Sequence, residues 1–242
     1  MPENSTKTVV SSWNEWDPLR HVIVGKADGT QIQAPEPAVQ LDFPDQGYPM
    51  GTCGALPNEM EAKACELLDN FAATLEKRGV RVDRPTPLDF SQAVQTPDWK
   101  QGTMFGCMPP RDVLLTVGNE ILEAPMSFRS RWFEYLCYRP LLEQYYKEDS
   151  RFRWETAPKP RLTAMTYKKD FWQKWNTSSE KEQWELTENS EWIITETEPL
   201  FDAADVARFG KDLFVQKSMV TNDAGIEWLR RHYPDHRVHR VA

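Results

Sequence analysis

Three times along its 242 residues this chain sets strand-forming runs ahead of a helix and closes with a further strand. In the first unit a strand at Arg20 to Gly25 leads through a Pro- and Gly-rich stretch, Asp28 to Pro57, into a helix from Asn58 to Lys77. Its apolar positions Met60, Ala64, Leu67, Leu68, Phe71 and Leu75 keep a helical period of about 3.6 residues. Gly79 is placed to end that helix, and Val80 to Asp83 is the return strand. The second unit has strands at Val113 to Val117 and Ile121 to Glu123, joined around Gly118-Asn119, a good tight-turn pair. A helix from Phe128 to Lys147 follows, which Pro140 should kink or split, and Phe152 to Glu155 returns. The third unit has strands at Trp192 to Thr197 and Leu213 to Gln216, a helix near Asp223 to His232, and a return strand near Arg237 to Val241. Between the second and third lies a charged, Trp-studded segment, Lys168 to Glu191, which reads as a surface insertion. A repeated ββαβ unit predicts an α/β architecture built from repeats, here one domain over residues 1–242.

Composition narrows the function classes. Hydrophobic residues make up 40% of the chain and there are ten tryptophans, which supports a packed core and argues against disorder. No apolar run approaches the length of a membrane span. Met1 to Thr8 is polar, with neither the apolar stretch of a signal peptide nor an Arg-rich presequence. The expected location is the cytoplasm, or the mitochondrion where a transit peptide is missing from the N-terminus. A net charge of -8 disfavours nucleic acid as a partner. It suits a cationic substrate drawn into an acidic cleft, although acidity also serves solubility alone. The four cysteines, Cys53, Cys65, Cys107 and Cys137, match no zinc spacing, and no disulfide framework is expected. Cys65 and Cys137 lie in helical runs and read as buried thiols; Cys53 and Cys107 lie in loops. Three of the four histidines, His232, His236 and His239, crowd the C-terminus, and the fourth is His21.

The most chemically loaded stretch is Glu198-Pro199-Leu200-Phe201-Asp202-Ala203-Ala204-Asp205. It places two carboxylates on a short turn of small residues beside strands. Carboxylates there can hold a cationic group or orient a histidine. By pattern alone, a turn or capping aspartate is the commoner reading. Longer words change the balance. Ser12-Trp13-Asn14-Glu15-Trp16-Asp17-Pro18-Leu19 leads into Val22-Ile23-Val24-Gly25. Arg111-Asp112 leads into Val117-Gly118-Asn119-Glu120-Ile121-Leu122-Glu123-Ala124-Pro125-Met126. Arg129-Ser130-Arg131-Trp132-Phe133-Glu134-Tyr135, Ala157-Pro158-Lys159-Pro160 and Phe201-Asp202-Ala203-Ala204-Asp205 follow. Val220-Thr221-Asn222 and Gly225-Ile226-Glu227-Trp228 complete the series. In this order the words resemble the glycine amidinotransferase family, from about Val10 to Val241, and cover the N-terminal part of a family member.

The resemblance implies a five-bladed α/β propeller, pentein-like, with about three of the five blades present and the active site in the central channel. It implies transfer of the amidino group of L-arginine to an acceptor amine. Glycine, giving guanidinoacetate (the creatine precursor) and ornithine, is the leading acceptor; antibiotic or toxin amines are the alternative. Delocalised charge makes a guanidinium carbon a poor electrophile, so such chemistry needs carboxylates to orient the cation, a thiolate nucleophile and a proton shuttle. In the family a cysteine carries the amidino group, a histidine moves the proton and an aspartate orients that histidine. Asp202 matches the catalytic aspartate. Asp98, in Thr96-Pro97-Asp98-Trp99, matches the aspartate that contacts arginine; the spacing from there to Arg111-Asp112 varies in the family, and a loop aspartate after proline is the competing reading. Asp205 reads as a structural partner. The family's histidine, in a His-Ile-Asp word, and its nucleophilic cysteine are expected beyond Ala242. Casting Cys107 with His232 or His239 as a replacement dyad is disfavoured. The resemblance implies no cofactor, small-molecule substrates and a homodimer at full length. The competing functions are a short module that binds without catalysing and a hydrolase of the same fold, with water as acceptor.

Overall fold

The computed structural model describes residues 8–39 and 52–241. The first unit runs through strands β1 (His21–Ile23), β2 (Gln31–Ile32) and β3 (Gly54–Ala55) to helix α1 (Asn58–Glu76) and strand β4 (Arg81–Asp83). β1 and β4 pair in parallel, Val22 opposite Val82, with α1 as the crossover between them. Gly79 takes φ +80° just past the helix, the left-handed conformation that suits glycine. The face of α1 that is buried differs from the expected stripe. Ala72 is buried and Ala64, Leu68 and Leu75 are half-buried, whereas Met60, Leu67 and Phe71 are exposed. A two-stranded sheet covers only a narrow strip of a helix, so one flank of the apolar set stays outside.

Strands β5 (Val94–Gln95) and β6 (Lys100–Gln101) make a small antiparallel pair, and a single helical turn, α2 (Pro110–Val113), opens the second unit. β7 (Leu114–Val117) and β8 (Glu120–Glu123) form a hairpin whose turn uses Gly118 at φ +61°. After them come two 3-10 turns, Arg129–Arg131 and Glu134–Cys137, then α3 (Arg139–Glu148) and β9 (Arg153–Thr156), which pairs in parallel with β8. The helix expected from Phe128 is therefore confined to its second half. Pro140 sits in the first turn of α3, where its missing N–H costs nothing and its fixed φ is already helical.

The segment before the third unit folds as α4 (Phe171–Thr177) and α5 (Glu180–Glu188), the latter opened by a reciprocal Ser179–Glu182 cap. It is more than a surface insertion. Phe171, Trp172 and Leu186 are buried, and the first two join a second core with Trp99, Leu162, Tyr167, Ile193, Ile194 and Leu200. This corrects the expected strand at Trp192 to Thr197. The run is apolar because it lines that core; its backbone pairs with the 166–168 stretch, through Lys168 N to Ile193 O and Thr195 N to Thr166 O, and not with a sheet. The first strand of the third sheet is instead β10 (Val206–Phe209). It pairs antiparallel with β11 (Asp212–Gln216), and after α6 (Asp223–His232) β12 (Arg237–Val241) returns in parallel.

The main core runs through both three-stranded sheets, joining Leu115, Ile121, Leu122, Tyr138 and Leu142 to Phe201, Leu213, Val215 and Leu229. The first unit is tied on through His21, whose Nε2 lies 2.8 Å from Asp83 Oδ2, the same oxygen that accepts from Tyr145 of α3 at 2.6 Å. An N-terminal strap closes one end of the sheets. Ser12 pairs with Gly118 and Asn14 with Phe209, so the strap bridges the hairpin turns of both sheets. Arg208 fixes it, donating to both carboxylate oxygens of Glu15 and to Thr116 O. A Cβ at Gly118 would come within 2.6 Å of the Trp13 ring, so glycine is required there twice over. At the opposite end the turns that precede β7 and β10 meet, Arg111 Nη2 donating to Ala204 O at 3.3 Å.

Candidate active site

That second end carries the carboxylates. Asp202 is buried and starts the 3-10 turn Ala203–Asp205, its Oδ1 accepting from Ala204 N at 2.8 Å. Its own backbone N–H donates to Thr221 Oγ1, which in turn donates to Asp205 Oδ2 at 2.6 Å. Ser218 Oγ donates to the same Asp205 oxygen at 2.6 Å. Asp205 thus holds the 218–221 loop against the turn, the structural part expected of it. Asn222 fixes the approach: its Oδ1 accepts from Leu200 N and from Gly225 N at the start of α6, while its Nδ2 donates to Thr195 O and Glu198 O. Gly225 permits this closeness, since a Cβ there would lie 2.1 Å from Leu200 O.

From the second unit Asp112 brings a third carboxylate. Its Oδ2 lies 2.8 Å from Nη1 of Arg131, a buried guanidinium that also forks Glu134 at 2.7 and 3.0 Å. Burial pushes the Glu134 carboxyl up to about 7, against the pull of Arg131. Burial opposes the charge on Arg131, and Glu134 and Asp112 outweigh it and hold the guanidinium charged. Asp202 is pushed up to about 7, first by burial and then by the Asp112 charge, with the Ala204 N–H and Arg131 opposing. A carboxyl poised there binds a cation well. An imidazolium or guanidinium brought beside it would offset the desolvation and ionise it. The sequence words contain Asp112 and Arg131, but nothing in their spacing announced that a guanidinium would link them.

Asp98 lies elsewhere. On the exposed turn between β5 and β6 it is gripped by both Nε and Nη2 of Arg161, which hold its carboxyl below the usual range. Its hydrogen bonds and ion pair run to Arg161 and Thr96, and none reaches the Asp112–Asp202–Asp205 group. The two regions communicate through Glu198. That carboxylate accepts from Arg161 N, Leu162 N and Thr166 Oγ1, four residues ahead of Asp202. The sequence reading gave Glu198 no role.

No dyad forms around Cys107. It is fully buried, its thiol donating to Lys26 O at 3.6 Å and facing Cys137. His232 is bound to Glu120 at 2.7 Å beside the strap, at the other end of the sheets. His239 is bound to Asp212 at 2.7 Å. Among the described residues no helix is long and apolar enough to cross a membrane.

No protein-family model matches the chain. It is 41% identical over 237 residues to the mitochondrial glycine amidinotransferase of Gallus gallus, covering 96% of this chain and 54% of that protein. Among solved structures it is similar to SxtG, an amidinotransferase from Microseira wollei in the saxitoxin biosynthetic pathway, with a TM-score of 0.79 and 43% identity over 96% of this chain and 62% of that one. It is also similar to the inosamine-phosphate amidinotransferase StrB1 from Streptomyces griseus, with a TM-score of 0.81 and 37% identity over 98% and 63%. Sequence and fold together place the chain in the amidinotransferase class. Within that class it belongs to the glycine amidinotransferase family. It spans about half the length of the curated relative and about six-tenths of the solved ones.

Proposed function

We propose that this chain is part of an amidinotransferase that moves the amidino group of L-arginine to an acceptor amine through a covalent amidino-cysteine. The observation that carries the reading is Asp202, a buried carboxyl poised near neutrality on a turn that faces the Asp112–Arg131 pair. In the proposed mechanism Asp202 orients a histidine and offsets the charge of the imidazolium as the proton moves to the departing ornithine. None of the four histidines or four cysteines makes a hydrogen bond or ion pair with Asp202. The proton shuttle and the nucleophile are therefore assigned to residues outside this stretch. Asp98 is proposed to hold arginine by exchanging Arg161 for the substrate's guanidinium, one fork for another. On the same reading the three sheet units are blades of a five-bladed propeller, one domain throughout, with no cofactor, located in the cytoplasm or mitochondrion.

Glycine is the proposed acceptor, in keeping with the name of the Gallus gallus relative. The likeness to SxtG and StrB1 favours a second reading, a secondary-metabolite amine. The test expresses the chain with whatever its reading frame encodes after Ala242, supplies arginine with glycine or other amines, and measures ornithine and the guanidino product. Ornithine should form catalytically only when an amine is present; without one, release should stop at about one equivalent per enzyme. Asp202→Asn should cut kcat by roughly a hundredfold or more, and Asp98→Asn should mainly raise the KM for arginine. Absence of ornithine with every amine would remove the proposed activity, and an unchanged kcat in Asp202→Asn would reduce Asp202 to a capping residue.

A further inference from the structure

Past the end of β9 the chain turns through Pro158-Lys159-Pro160. Pro160 O accepts from Trp132 Nε1 at 2.9 Å and Ala157 N donates to Glu123 O at 3.0 Å, so the backbone on both sides of Lys159 is fixed. The half-buried Lys159 side chain points at rings rather than at oxygens. Its Nζ lies 3.9 Å from the Tyr135 centroid and 5.9 Å from that of Trp132. Among the described residues it makes no hydrogen bond to oxygen and no ion pair.

The carboxylate that faces it is already committed. Glu123, fully buried, accepts from Trp154 Nε1 at 2.9 Å and Thr156 Oγ1 at 3.1 Å, and pairs with Arg139 Nη2 at 3.2 Å. Arg139 lies 5.1 Å over the same Tyr135 ring and 4.7 Å over Trp154. Two cations therefore lie against the Tyr135 ring, and Glu123 is paired with Arg139 rather than with Lys159. Lys217 is a counterexample within the same chain. It too is half-buried, but Asp223 at 2.6 Å and Glu196 at 2.9 Å grip it and hold its ammonium charged against burial.

The geometry points to Lys159 as a covalent modification site, an amine held against rings without an oxygen partner that is N-acylated by acyl phosphates. The Nζ lone pair forms a C–N bond to the acyl carbon. The carbon–oxygen bond to phosphate breaks, phosphate leaves with the electron pair, and the surplus amine proton passes to water. The neighbouring Arg139 guanidinium favours an anionic donor with a phosphate leaving group. The same surroundings set the proton affinity. Burial and then Arg139 lower Lys159 to about 8, with Glu123 opposing; the Tyr135 ring adds a weaker attraction for the charged form. Such an amine is about half neutral at pH 8, against roughly 0.3% for one at its ordinary value of 10.5.

The test treats the folded chain with acetyl phosphate between pH 7 and pH 10 and reads acetylation at each lysine by peptide mass spectrometry. Lys181, a highly exposed lysine on α5, is the internal reference. At pH 8 Lys159 should acylate at least tenfold faster than Lys181. The ratio should shrink as pH rises and Lys181 deprotonates, and it should collapse to about one in concentrated urea. A ratio below tenfold at pH 8, a ratio independent of pH, or a preference that survives urea would each overturn the assignment.

Discussion

Asp202→Asn should make the fold more stable while disabling the chemistry proposed for it. In the folded chain the Asp202 carboxyl is pushed from 3.8 up to about 7, burial first and the Asp112 charge second. A carboxyl whose folded value lies above its unfolded one carries more protons folded than unfolded across that interval. Stability contributed by this group is fully present below about pH 4 and is lost as pH rises toward 7. The interval is about three pH units, and at roughly 1.4 kcal/mol per unit its full extent is about 4 kcal/mol. Relaxation of the turn and of Arg131 around the charge brings this to about half, about 2 kcal/mol. Asparagine keeps an oxygen to accept the Ala204 N–H and has no charge to desolvate. Urea unfolding should therefore give a variant more stable than the parent by about 2 kcal/mol at pH 8 and nearly equal to it at pH 4. If the variant were less stable at pH 8, or if its advantage did not change with pH, the account of Asp202 as a charge held at a cost would be wrong.

Arg131→Met leaves Glu134 buried without its partner, and breaking such a pair costs about 3–5 kcal/mol; the loss, read from urea midpoints, should be smaller at acid pH, where Glu134 is protonated. Gly118→Ala should cost about 2 kcal/mol or more, from the left-handed φ and from displacing Trp13, whereas Gly79→Ala, at a similar φ with open space around its Cβ, should cost only about 1 kcal/mol. Equal losses at the two glycines would mean that the Trp13 contact carries no energy.

The parts of the fold that were legible in sequence are those whose causes are local. Gly79 and Gly118-Asn119 announce their turns because few other residues take a positive φ. Pro140 announces a helix boundary because it cannot sit in a helix interior, although the 3-10 turns before it could not be told from a continuous helix. The third unit was misread at its first strand because long-range packing overrode pattern. Trp192 to Thr197 is apolar for the sake of a second core, and β10 hides behind Arg208, a charge that looks out of place until Glu15 and Thr116 O appear beside it. The site divides in the same way. Asp202 is embedded in a recognisable word. Asp98 is tied to Arg161, 63 residues away, and no spacing rule links them. Arg131 became visible only when its carboxylate partners Asp112 and Glu134 came together around it.

The strap also sets an order of events in time. Its contacts with Gly118 and Phe209 join Ser12 and Asn14 to partners about one hundred and nearly two hundred positions later; Arg208 and Glu15 are 193 apart. As the chain leaves a ribosome from its N-terminus, residues 12–17 have nothing to pair with until both hairpins have emerged. Loop closure over such separations is slow to be rewarded, so the sheets of the second and third units must form before the strap can lock them. Residues 12–17, translated before both hairpins, are therefore placed after them. Through that interval the exposed Trp13 and Trp16 and the open hairpin turns are where a chaperone would find hold and where association between nascent chains would begin.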